Sequence, residues 1–84
     1  MSYTISILRR AQRELTRLPV GAYERVRDAI RALGQDPRPP GCLKLTGREA
    51  WRIRAGDYRV IYEIDDEQRL VTVLHVGHRR DVYR

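Results

Sequence analysis

The chain has one cysteine, two histidines, a single lysine and no long apolar run. Each scarcity removes a class of protein. One thiol, Cys42, cannot build an intramolecular disulfide framework or a cysteine-based metal cluster. No histidine lies near it in sequence, so Cys42 is expected to be a half-buried small residue and not a nucleophile. No segment approaches the length needed to span a membrane. At the start, Ile5, Ile7 and Leu8 run straight into Arg9 and Arg10, unlike a signal peptide. A reducing cytoplasm and no membrane partner are the expectation. Gly34, Gly41, Gly47 and Gly56 lack phosphate-loop spacing and read as turns.

What the chain has in quantity is arginine. Lys and Arg total 17 against 11 Asp and Glu, a net charge of +6, and Lys44 is the only lysine among the cations. Arginine grips phosphate with two parallel hydrogen bonds and stacks on bases, whereas lysine acts as a point charge. A nucleic acid is therefore the first partner to consider, and an acidic protein the second. Hydrophobic residues make up 42% of the 84, which places the chain among globular proteins. That length allows one small domain, residues 1–84, with a modest core.

The arginines are most telling between Trp51 and Tyr62. From Trp51 to Ala55 apolar and charged residues alternate, the period of a half-buried strand. Gly56-Asp57 suits a two-residue hairpin loop, because glycine takes the positive φ such a turn needs. This loop pairs Ala55 with Tyr58, Arg54 with Arg59, Ile53 with Val60 and Arg52 with Ile61. One face then carries Trp51, Ile53, Ala55, Tyr58, Val60, Tyr62 and Ile64, a core. The other carries Arg52, Arg54 and Arg59. Like charges set opposite each other destabilise a strand pair. A face that tolerates them is expected to stand open and to receive a polyanion.

The remaining elements follow from periodicity. Tyr3 to Ile7 alternates as a first strand. Arg10 to Leu18 carries Ala11, Leu15 and Leu18 at helical spacing, with Arg9, Arg10, Arg13 and Arg17 on the solvated side. Pro19 interrupts. Val20 to Leu33 places Tyr23, Val26, Ile30 and Leu33 on one side of a second helix that ends at Gly34. Asp36 to Gly41, with three prolines, is a loop, and Leu43 to Leu45 a brief extended segment. After the hairpin, Asp65 to Gln68 makes an acidic turn. Arg69 to Gly77 is a last strand, apolar on both faces and so inside the sheet. His75 within it reads as a hydrogen-bonded structural histidine. The expected fold is α+β: an N-terminal strand, then two helices on one face of an antiparallel sheet completed by a three-stranded C-terminal meander.

The last residues are His78-Arg79-Arg80-Asp81-Val82-Tyr83-Arg84. A tyrosine offers a ring to stack a base and a hydroxyl to exchange a proton.

The run from Trp51 to Tyr62, followed by Val76-Gly77-His78-Arg79-Arg80-Asp81-Val82-Tyr83, resembles the RelE branch of the RelE/ParE toxin superfamily. Leu18-Pro19 and the segment from Asp36-Pro37-Arg38 to Lys44-Leu45 add to the likeness, which covers nearly the whole chain. The resemblance implies a fold like that of small microbial ribonucleases. It implies a toxin of a type II toxin–antitoxin system, a cytoplasmic endoribonuclease that cleaves mRNA in the ribosomal A site and inhibits translation. No metal or other cofactor is implied. The implied partners are the ribosome with its mRNA and a cognate RelB-like antitoxin, acidic at least in its toxin-binding part, in a hetero-oligomer. Residue by residue, Arg52, Arg54, Arg59, Arg79 and Tyr83 fall on the family's catalytic positions. Arg80 and Lys44 are expected to add RNA contacts. Where the family pattern has lysines, this chain has Arg52 and Arg54, and its hairpin loop is shorter.

That departure bears on the chemistry. RNA cleavage without metal needs the 2′-hydroxyl deprotonated, the phosphorane charge stabilised and the 5′-oxygen protonated. A guanidinium supplies charge but not a base. His78 and Tyr83 are the candidate proton carriers. Glu63 alternates onto the arginine face and pairs there with Arg52 or Arg69 as its simplest role. A ParE-like toxin that inhibits DNA gyrase by protein contact is the alternative on the same fold. It would need none of Arg52, Arg54, Arg59, Arg79 and Tyr83. A degenerate toxin kept for antitoxin binding is a third reading.

Overall fold

The computed structural model describes residues 2–78. Arg79, Arg80 and Tyr83 lie outside them. The elements are β1 (Thr4–Ile7), α1 (Arg9–Thr16), α2 (Val20–Ala32), β2 (Leu43–Lys44), β3 (Trp51–Ala55), β4 (Tyr58–Asp65) and β5 (Leu70–His78). The five strands form one sheet in the order β1-β5-β4-β3-β2. The expected meander is there: β3, β4 and β5 are successive antiparallel neighbours. β1 enters parallel to β5, pairing Thr4 with Leu70 through Ile7 with Val73, so the sheet is mixed.

The helices cover one face. Ala11 and Leu15 of α1, and Val26 and Ile30 of α2 with Leu33 just beyond it, pack on Ile53, Ala55, Val60, Tyr62, Val71, Val73 and Val76. Pro19 divides α1 from α2, since proline cannot continue the first helix yet suits the start of the next. Gly34 is a place where only glycine fits without adjustment. A Cβ there would stand 3.2 Å from the carbonyl oxygens of both Arg31 and Tyr3. The close approach lets Tyr3 N–H donate to Gly34 O at 2.7 Å and ties the entrance of β1 to the end of α2. Tyr23 departs from the expected core stripe. It is 36% exposed, with the Arg27 guanidinium 5.8 Å from its ring centre. The buried stripe is narrower, Val26-Ile30-Leu33, with Ala29 packed at its side. Cys42 is half-buried against the core, as its surroundings suggested.

β5 contains the fold's main irregularity. Its register against β4 slips between Ile61 and Tyr62, so that Tyr62 faces Val73 while Ile61 faces His75. Leu74 is the extra residue. Strict alternation from Val71 and Val73 would send His75 into the core. The bulge sends Val76 there instead, 1% exposed, and frees His75 to turn elsewhere.

Loop 36–41 is pinned from outside. Arg38 donates to both carboxylate oxygens of Asp66, at 3.2 and 2.9 Å, and its guanidinium sits 5.1 Å from the Trp51 ring centre. Tyr3 Oη donates to the same carboxylate at 2.5 Å. Arg38 first, then Tyr3, holds the Asp66 carboxyl down at about 2. Beneath the loop, the buried Tyr62 hydroxyl donates to Pro37 O at 2.7 Å.

Candidate functional site

The hairpin adopts the register that alternation and the Gly56-Asp57 loop predict: Trp51 opposite Tyr62, Arg52 opposite Ile61, Ile53 opposite Val60, Arg54 opposite Arg59 and Ala55 opposite Tyr58. Gly56 has φ +64, the left-handed value that the tight turn demands. Arg54 and Arg59 therefore share the sheet face away from the helices. Arg54 is exposed and Arg59 half-buried. β5 continues the surface on the other side of β4, with Gly77 opposite Arg59 and His78 opposite Tyr58. The Tyr58 and His78 rings meet edge to face, centroids 5.7 Å apart. His78, a candidate proton carrier, thus shares the helix-covered face with Tyr58, while Arg54 and Arg59 project from the other face, so the structure does not bring them together.

Arg52 behaves differently from the open position expected of it. It is only 5% exposed. The arginine face is not uniformly open, because a second small apolar cluster grows on it: Ala50 and Ile61 are buried there with Leu45 and Leu74 against them. Arg52 lies directly opposite Ile61, and this cluster covers the register position on which it stands. Its Nε is buried without a hydrogen-bond partner among the described residues. Such an unmet, charged donor is costly in a protein interior.

Lys44 stands apart from this group. The β2–β3 register puts it opposite Trp51, and its ammonium is 3.3 Å from Glu49. Glu63 is exposed and enters none of the ion pairs among the described residues, neither with Arg52 nor with Arg69. It lines, with Glu49, Asp65, Asp66 and Glu67, a cleft of 570 Å³ at the far end of β4. The sheet surface is consequently polarised, with Arg54 and Arg59 at the hairpin-loop end and carboxylates at the other. A polyanion is drawn to the first and repelled from the second. A second cavity of 430 Å³ runs beside β3, between α2 and the Pro39-Pro40-Gly41 loop, with Arg52 and Arg54 in its lining. No three His, Cys, Asp or Glu side chains come together as a metal-holding group among the described residues.

One residue of this region carries no signal in the sequence. Glu14 of α1 accepts the Val76 N–H at 2.8 Å and lies 2.6 Å from Nδ1 of His75. An i, i+4 pair with Arg10 was its only legible partner, and that bond is long at 3.4 Å. His75 departs from the hydrogen-bonded histidine expected: its buried Nδ1 makes no hydrogen bond among the described residues despite the nearby Glu14 carboxylate, and it stands opposite Ile61 on the arginine face.

Comparison with known proteins adds the family. Residues 5–83 match the model of the ParE toxin of the type II toxin–antitoxin system parDE. Toxin RelG of Mycobacterium tuberculosis is 38% identical, over all of this chain and 99% of its own length. The crystal structure of the RelBE2 toxin–antitoxin complex of Mycobacterium tuberculosis superposes with a TM-score of 0.84 at 30% identity, over 94% of this chain and 100% of that one. The archaeal RelE–RelB complex of Pyrococcus horikoshii gives the same TM-score at 28% identity, over 98% and 100%. The chain belongs to the RelE/ParE superfamily of type II toxin–antitoxin toxins, in its RelE-like branch.

Proposed function

We propose that this toxin is an endoribonuclease that cleaves mRNA in the ribosomal A site without a metal ion, and that a RelB-like antitoxin, acidic where it touches the toxin, holds it inactive in a hetero-oligomeric complex in the cytoplasm. The observation that carries the reading is the arginine group on β3 and β4. Arg54 and Arg59 oppose each other on the surface, and beside them Arg52 is buried with an unsatisfied Nε. A protein-contact inhibitor has no use for that arrangement, whereas a phosphodiester in flight to a phosphorane does.

In the reaction the RNA 2′-oxygen forms a bond to phosphorus as the bond from phosphorus to the 5′-oxygen breaks. The 2′-hydroxyl proton leaves to a base, and a proton is delivered to the departing 5′-oxygen. The guanidinium groups take the growing charge on the non-bridging oxygens. They do not take the proton. Tyr83 is the candidate for that exchange by family resemblance, since His78 shares the helix-covered face with Tyr58. Arg79 and Arg80 extend the same cationic tract along the sequence. With so little acid–base equipment, the site relies on the ribosome to hold the message in an in-line geometry.

The test is cleavage of a defined message on purified ribosomes. Cuts confined to ribosome-bound message, resistant to EDTA and ending in 2′,3′-cyclic or 3′-phosphate, are the expected result. Equal cutting of naked RNA, or intact messages with accumulating gyrase–DNA complexes, would overturn it.

A further inference from the structure

Where β1 ends, β5 loses a neighbour. The parallel ladder stops at Ile7 opposite Val73, and the last backbone bond from that side is Leu8 N–H to Val73 O at 3.0 Å. The chain then turns into α1 at Arg9. From Leu74 to His78, β5 keeps β4 on one side and has no strand on the other among the described residues. An unpaired strand edge normally frays or recruits another strand. Here the bulge at Leu74 resets the phase of the strand, and the Val76 N–H faces the carboxylate of Glu14.

We propose that Glu14 is a positioning residue for the cleavage reaction: from α1 it takes the place of the missing strand, holds β5 at Val76, and thereby fixes where Gly77 and His78 stand against Arg59 and Tyr58. The proposal rests on the reading of the protein as a nuclease given above. Three observations support it. The Glu14 side chain is 20% exposed, and both its oxygens are engaged, Oε1 by Val76 N–H at 2.8 Å and Oε2 near His75 Nδ1 and Arg10 Nε. A hydrogen bond from an amide to an ionised carboxylate is shorter and stronger than one between neutral groups, so one side chain can substitute for a strand at one point. The held residue is the one immediately before Gly77, which lies opposite Arg59, and two before His78, which lies opposite Tyr58. A displacement of the strand end therefore shifts Gly77 against Arg59, the strand pairing on which the phosphate-binding face is built. Glu14 itself touches neither RNA nor reacting atoms. Its contribution is geometric.

The experiment compares Glu14→Ala, which deletes the acceptor, with Glu14→Gln, which keeps an oxygen for Val76 N–H and removes the charge. Leu15→Ala, a core truncation one residue away on α1, controls for loss of helix docking. Cleavage is measured on message-loaded ribosomes well below every variant's melting temperature, alongside amide exchange at Val76. For Glu14→Ala the expected result is a kcat lower by about tenfold to a hundredfold, the scale of a misplacement near 1 Å, with KM little changed. Val76 exchange should accelerate in the same variant. Glu14→Gln should restore both readouts most of the way. Leu15→Ala should lower the melting temperature and leave kcat nearly intact. A Glu14→Ala protein with wild-type kcat, or one no slower than Leu15→Ala, overturns the proposal. So does a Gln variant as slow as the Ala variant. Failure of the wild-type protein to cut would instead sink the nuclease reading, and the positioning role with it, a result distinct from wild-type cutting that is indifferent to Glu14.

Discussion

Arg54 and Arg59 stand directly opposite each other across the β3–β4 hairpin, two cations in one cross-strand pair. Opposed like charges cost stability, roughly 0.2–1 kcal/mol in a strand pair. Arg54→Ala should therefore leave the melting temperature unchanged or raise it slightly, while toxicity in a growth assay is lost. A clear fall in melting temperature would show that Arg54 is part of the scaffold.

Arg52, two residues away, should respond differently. It is buried and its Nε is unpartnered among the described residues. Replacing a buried, incompletely satisfied charge by an apolar side chain of similar length is often neutral or stabilising, whereas cutting it back to a small residue leaves a hole. Arg52→Met should match or exceed the wild-type melting temperature and abolish cleavage. Arg52→Ala should lose both. Equal destabilisation by the two would mean that the guanidinium is held by contacts that a thioether cannot replace.

The Asp66 latch gives a pH signature. Arg38, and after it Tyr3, brings the folded-state pKa of Asp66 from 3.8 to about 2. A group depressed on folding stabilises the fold above its ordinary value, and that stabilisation disappears as pH falls through the folded value. Asp66→Asn should therefore melt lower than wild type at neutral pH. The gap should close between about pH 4 and pH 2. Thermal melts across that range decide it, and a constant gap would assign the effect to something other than the carboxylate.

Tyr62→Phe removes the hydroxyl that satisfies Pro37 O beneath the loop. Leaving a buried acceptor unpaired costs about 1–3 kcal/mol. Burial, more than any neighbouring charge, raises the pKa of this phenol far above its ordinary value. Spectrophotometric difference titration of wild type against Tyr62→Phe should show that the phenol lost ionises well above pH 10 in the folded protein and returns to the ordinary range on unfolding. A difference between the two proteins centred near pH 10 would contradict the buried hydroxyl.

Core truncation provides the contrast for the arginine variants. Ile53 points into the helix-covered face between Arg52 and Arg54. Ile53→Ala should cost about 2–4 kcal/mol and reduce activity through unfolding. Urea denaturation measures the loss, and a variant as stable as wild type would invalidate the assignment of faces in β3.

Local rules carried the sequence reading a long way. Alternation on both sides of Gly56-Asp57 leaves one hairpin register that buries Ile53, Val60 and Tyr62, because a slip of one residue would turn every side chain over. The two helices, the break at Pro19 and the meander after Leu45 follow from period and from turn chemistry in the same way. The cationic hairpin, the centre of the candidate site, was legible for the same reason: its residues are neighbours in sequence.

What depended on distant segments meeting was not legible. The burial of Arg52 arises only when Leu45, Ala50, Ile61 and Leu74 gather on the face that alternation had assigned to solvent. The parallel entry of β1 beside β5 joins residues more than sixty positions apart. The bulge had a faint trace, since Val71, Val73 and Val76 break strict alternation by one residue, but a strand apolar on both faces hides such a step. Glu14 had no trace at all as a support for β5, because the amide it holds is exposed to it only by where β1 happens to stop. By itself the sequence determined the local elements, the hairpin register and the clustering of arginines. The tertiary structure alone decided which of those arginines is buried and which carboxylate holds the last strand, since both depend on surfaces that exist only once non-adjacent strands and helices have packed.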